Sequence, residues 1–285
     1  MFEPSHDMTR PIRLRSRAAQ ARAWAGSPAG MRWLLALILL AGAYLRLSHV
    51  NWDEGTHIHP DERFLTMVTS ALALPDSPQQ FFDSTQSPMN PNNRGYDFFV
   101  YGTLPLFIVR VAAEVAQQFN ASALLWEVAP GIPLNLTGYD GIHLVGRTLS
   151  GLFDVATLWL TFVIARRLFG RKEGTLAAAL YAFAPLALQQ SHFFTVDTFG
   201  TFFALLTFYF AVRVAQGGEA GQRGGGWGAY AALGAGLGAS LACRINLAPL
   251  AAIAGLAALI RAWDDWHAVS PPGRAQNLWL STLAQ

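Results

Sequence analysis

Six apolar stretches, at residues 33–50, 142–165, 175–192, 198–214, 227–242 and 246–263, each approach the roughly 20 residues that an α-helix needs to cross a bilayer. That much unbroken apolar chain has no place in a water-soluble core, and in hydrocarbon only helices or closed barrels satisfy the backbone. Composition agrees, with 52% hydrophobic residues and only 13% charged, about half the charged share of a soluble domain. The expected fold is an all-α polytopic membrane protein. Net charge is only +2, and the basic residues cluster at the ends of apolar stretches, forming no continuous basic face. That excludes a nucleic-acid partner. The single cysteine, Cys243, excludes an internal disulfide framework and any cysteine-based zinc site.

Polar links order these stretches. Residues 1–32 carry six Arg and read as a basic cytoplasmic arm. Residues 33–50 follow as the first transmembrane helix, an uncleaved anchor in preference to a signal peptide, with Arg46 snorkelling to the interface. Residues 51–141 form the expected first outer loop, with seven acids between 51 and 97. Its segment 98–119 reads as a helix lying along the outer interface, because Arg110 and Glu114 interrupt it and Gly102 and Pro105 break its start. That assignment keeps the cluster Arg166 to Lys172 inside. Five further transmembrane helices then occupy 142–263. Residues 264–285 read as a cytoplasmic link and the start of another apolar segment, so that the chain looks truncated.

Three polar patches converge on the outer face in this topology. The first is Asn51 to Phe64, which holds Asp53, Glu54, His57, His59, Asp61 and Glu62. A carboxylate at a membrane interface can act as general base or ligate a hard divalent cation. Asp61 is the leading candidate, since Pro60 can open a helix whose N-terminal dipole keeps the carboxylate ionised; an ordinary helix cap is the competing role. His57 and His59, two apart, could bind a metal with Asp53 or Asp61, and no other cofactor is indicated. The second patch is Gln189 to Asp197, with Asp197 its only acid and helix capping as the alternative. The third is Arg244 with Asn246, in a run otherwise of Ala, Gly and Leu. An interfacial Arg suggests a phosphate ligand, or else a buried ion pair. Within the membrane, Arg147 and Asp154 lie seven apart on one helix face and suggest a structural pair or network.

The order of these motifs resembles a known family. His59-Pro60-Asp61-Glu62-Arg63-Phe64 in a long outer loop looks like the glycosyltransferase C superfamily. Gly146-Arg147-Thr148-Leu149-Ser150-Gly151, Ala165 to Gly170, Ala184-Pro185 and Thr195-Val196-Asp197 are similar to its family 39 branch, which includes protein O-mannosyltransferases and the lipid A aminoarabinose transferase. The resemblance covers about 33–265, the N-terminal half of such enzymes. It implies inverting transfer of a sugar from a polyprenyl-phosphate carrier to a protein, lipid or glycan acceptor at the outer face of a bacterial plasma membrane. Asp61 would be the base, Glu62 would orient it or share a metal, and Asp197 would match the second acidic patch. Where the aminoarabinose enzyme carries a phosphate-contacting Lys, this chain reads Arg94 to Tyr101, so that Arg94 and Tyr101 join Arg244 and Asn246 as candidate phosphate or substrate contacts.

Two other classes compete. A transporter or lipid flippase would use Arg147, Asp154 and Arg244 along a path and would call for broken helices, of which the sequence gives no clear sign. A noncatalytic membrane scaffold would follow if the chain is an inactive fragment.

Overall fold

The computed structural model describes residue 19 and residues 27–120, 135–217 and 226–269; most of the N-terminal arm and the end of the chain lie outside them. Helix α1 (Pro28–Leu47) is opened by Ser27, whose hydroxyl accepts from the Gly30 amide, with Pro28 in the first turn. Then come α2 (Pro60–Ala71), the short α3 (Pro78–Phe82), a 3-10 turn (Pro91–Arg94) and α4 (Leu104–Asn120). The bundle continues with α5 (Tyr139–Phe169), α6 (Arg171–Ala182), α7 (Pro185–Ser191), α8 (Val196–Gln216) and α9 (Trp227–Cys243). A 3-10 turn (Ile245–Leu247) and α10 (Leu250–Val269) complete it, and no strand occurs among the described residues. Four helical stretches there are long and apolar enough to cross a membrane: Pro28–Leu47, Tyr139–Phe169, Val196–Gln216 and Ile245–His267.

The expected segment 175–192 is not one helix. Pro185 has no N–H to donate and restricts Ala184 to an extended conformation (φ −67°, ψ 117°), so the chain breaks between α6 and α7. The break leaves carbonyls unsatisfied at the end of α6, and Arg46 meets them. Its guanidinium donates to Ala182 O at 2.9 Å and Tyr181 O at 3.1 Å, while its Nε donates to Asp154 at 2.6 Å. Tyr181 donates its hydroxyl to the same carboxylate. Arg46 is fully buried, contrary to the expectation that it snorkels. Its charge is neutralised inside the bundle and has no need of the interface.

The segment 98–119 is helical only from Leu104. Along α4, Leu106, Val109 and Ala113 are wholly buried and join one core with Leu65, Val68 and Leu72 of α2, Ile142 of α5, Phe194, Val196 and Phe199. The two charges that interrupt α4 are Arg110 and Glu114, which pair with each other; Arg110 also donates to Ser70 O and Thr137 O. The large loop is thus packed onto the bundle through a shared apolar core.

Removing one partner of the buried Arg46–Asp154 pair leaves a bare charge and open carbonyls. Arg46→Met should lower unfolding stability in detergent by about 3–5 kcal/mol. The double variant Arg46→Met/Asp154→Leu should recover part of that loss, a pattern readable from thermal midpoints.

Candidate functional site

Helix α2 starts where the sequence suggests. Pro60 occupies its first turn, and the His59 ring accepts from the Glu62 amide. Asp61 and Glu62 are successive residues of a 3.6-residue turn, so they face directions about 100° apart. The structure gives them different environments: Glu62 is fully buried, Asp61 half-buried.

Glu62 turns inward to Arg147. The guanidinium donates from Nε and Nη2 to its two oxygens, both at 2.7 Å. It also donates to both oxygens of Asp53, at 2.7 and 2.8 Å, and to Val50 O at 3.1 Å. These five bonds use all five N–H groups of an arginine. The Phe194 amide donates to Glu62 Oε1 at 2.8 Å, tying the segment before Asp197 to the helix that carries Asp61. The Trp52 ring lies 5.4 Å from the guanidinium, stacks edge-on with Phe193 and donates to His192 O. Gly146 is required beside this hub, since a Cβ there would stand 2.3 Å from the Phe194 ring.

Arg147 and Asp154 therefore do not pair with each other. Seven residues of helix span about 10.5 Å, and each found partners on other elements. Glu62, expected to orient Asp61 or share a metal, has its oxygens taken by Arg147 and the Phe194 amide. It acts on the site through position.

Asp61 faces the other way. The Tyr101 hydroxyl lies beside its carboxylate, and the same phenol feels the charges of Arg244 and Asp197. Burial, then the Asp61 carboxylate, pushes the Tyr101 phenol above its ordinary value. Arg244 and Asp197 form an ion pair. The neighbourhood is set by backbone: the Gly102 amide donates to Cys243 O at 3.0 Å, and a Cβ on Gly102 would meet Ala242 O at 2.0 Å. This close crossing puts Tyr101 beside the end of α9, where Arg244 is the C-cap residue. Asp197 lies in the first turn of α8 and bonds Arg244, while no side chain caps that helix. Four polar residues from four separate stretches thus converge, and Tyr101 is the one whose contribution sequence reasoning assigned only by analogy.

Other candidates stand apart. Arg94 is exposed and donates from Nε to Ala71 O at 2.6 Å, closing the end of α2. Asn246 is exposed in the turn after Arg244. Asp53, His57 and His59 do not form a metal centre. Both Asp53 oxygens are held by Arg147 and the amides of Gly55 and His57, the His57 ring meets His143 edge to face, and His59 caps α2 against Phe193. Among the described residues no group of three or more His, Cys, Asp or Glu is disposed to hold a metal ion. The Arg147 guanidinium holds the Asp53 carboxyl well below the usual carboxylate range, and burial pushes the His57 imidazole below its usual value.

These two shifts act in the same direction. Asp53 contributes stability that is complete above its unfolded value of 3.8 and fades as pH falls below it toward the folded value. His57 stays neutral in the fold where the unfolded chain takes up a proton, so stability also falls as pH drops below 6.5. The thermal midpoint in detergent should therefore fall steadily from pH 7 to pH 3. His57→Phe should flatten the upper part of that profile and leave the part below pH 4 intact. Arg147→Lys keeps the charge but loses the five-donor fork, and should cost about 2–4 kcal/mol in the same assay.

Residues 139–272 match the family model described as Dolichyl-phosphate-mannose-protein mannosyltransferase. That stretch includes Arg147, Asp154, Asp197 and Arg244, whereas Asp61 and Tyr101 precede it. No curated protein and no solved structure matches the chain. Taken with the four apolar helices that can span a bilayer, the match, which covers just under half of the chain, supports a membrane glycosyltransferase similar to family 39 of the C superfamily.

Proposed function

We propose that the chain carries the acceptor-activating and phosphate-facing residues of a lipid-carrier-dependent glycosyltransferase, with Asp61 as general base on the extracytoplasmic face. The observation that carries this reading is the position of the Tyr101 phenol, beside Asp61 and within reach of the charges of both Arg244 and Asp197. A half-buried carboxylate at a helix N-terminus, with a cation a few residues of space away, suits a reaction that takes a proton at one end and releases an anion at the other.

The step runs as follows. An acceptor hydroxyl attacks the anomeric carbon and gives its proton to the Asp61 carboxylate as the new carbon–oxygen bond forms. The bond from that carbon to the carrier phosphate breaks, and its electron pair leaves with the phosphate. Arg244 offsets the charge that develops there. In the structure Arg244 is paired with Asp197, so phosphate binding exchanges one anionic partner for another, and Asp197 serves to hold the guanidinium ready. Tyr101 orients the Asp61 carboxylate. Attack opposite the departing phosphate inverts the anomeric centre.

The break between α6 and α7 is the one feature that favours a transporter. Two of its carbonyls, Ala182 O and Tyr181 O, are however already bonded by Arg46 from the last turn of α1, which takes them from any coupling ion.

Transfer of radiolabelled mannose from polyprenyl-phosphate mannose, measured in membranes bearing the protein, tests the assignment. Asp61→Asn should reduce transfer by about 10² to 10⁴-fold at unchanged protein level. Transfer by Asp61→Asn at the wild-type rate would remove Asp61 from the chemistry.

A further inference from the structure

A cavity of ≈ 440 Å³ opens beside Asp197, between the broken helix and α8. Its polar lining is Asp154, Tyr181, Gln190, Asp197, Thr198 and Thr201, and Leu186 and Ala187 of α7 supply an apolar wall. The volume lies within the range of about 300–1,000 Å³ usual for small-molecule sites. Two of its polar groups have no partner. Thr198 is only 3% exposed, and its hydroxyl makes no hydrogen bond. The Gln190 Oε1 is likewise buried and unbonded. Buried polar atoms are almost always satisfied, and leaving them open is costly, so a pair of them on one cavity wall points to a ligand that completes them.

Charge decides the class of ligand. The nearest cations are already committed: Arg46 to Asp154 and Arg244 to Asp197. A carboxylate stands at the floor and another at the rim, so an anion is disfavoured inside. Hydroxyl, amide and phenol groups, which both give and accept hydrogen bonds, suit a neutral ring bearing several hydroxyls.

We propose that this cavity binds the sugar ring of the lipid-linked donor, an assignment that rests on the carrier-dependent reading above. The ring's hydroxyls bond Thr198, Gln190 and Thr201 while its phosphate stays outside the rim, next to Arg244. Because α7 forms one wall, the break at Pro185 has a use: a continuous helix would not turn Leu186, Ala187 and Gln190 toward α8 in this way.

The test compares two probes, citronellyl phosphate and citronellyl-phosphate mannose, by calorimetric titration of the detergent-purified chain. Wild type should bind the mannose-bearing probe more tightly. Thr198→Val and Gln190→Leu should each reduce that preference roughly tenfold, the loss of one hydrogen bond, and leave binding of the sugarless probe unchanged. Ala187→Phe fills the cavity without removing a polar group and should abolish the preference, which keeps the test decisive where a polar variant folds poorly. A preference that survives Ala187→Phe and the polar variants overturns the cavity assignment. Equal binding of both probes by wild type also overturns it while sparing the carrier-dependent reading; binding of neither overturns both.

Discussion

The guanidinium of Arg147 is the contact on which the arrangement of the site depends. It gathers Asp53 and Val50 from the loop after α1 and Glu62 from α2, and through Glu62 it also reaches the backbone before α8. Two carboxylates and one guanidinium leave a buried negative charge in excess. The amides of Gly55, His57 and Phe194, together with the Trp52 ring, surround the cluster, so that the excess is spread over backbone donors. Burial of charge is tolerated only on such terms. The neighbouring His57 and His143 rings meet edge to face with centroids 4.2 Å apart, and no ring nitrogen of either makes a hydrogen bond.

This arrangement divides work between adjacent residues. Glu62 spends its charge on assembly, and Asp61, one position earlier and on another side of the same helix turn, is left half-exposed. The same division recurs deeper in the bundle, where Arg46 and Asp154 mend a helix break, and at the rim, where Arg244 and Asp197 remain partly accessible. Buried pairs build; exposed pairs remain available to a ligand.

Much of the fold was legible because it rests on local rules. Apolar length announces helices α1, α5, α8 and α10, and Pro60 announces the start of α2. The break at Pro185 was less legible: proline at the first turn of a new helix and proline near the end of a spanning one look alike until a partner such as Arg46 is known to satisfy the freed carbonyls. For the site, Asp61, Asp197 and Arg244 could be read as polar interruptions in otherwise apolar surroundings. The partners of Arg147 could not, because a same-face spacing on one helix says nothing about which distant loop supplies a carboxylate. Nor could the role of Tyr101, which follows from the tight crossing at Gly102, a contact between residues far apart in the chain. A glycine followed two residues on by Leu-Pro was the only local trace.

The proposed reaction requires that Asp61 and Arg244 occupy one hollow on one side of the membrane. It is tested most directly by introducing cysteines at these two positions, with Cys243 replaced by Ala, and treating intact membranes with a short membrane-impermeant bis-thiol crosslinker. Both cysteines should react from the extracytoplasmic side and become bridged within the chain. Reaction of the two from opposite sides would contradict it.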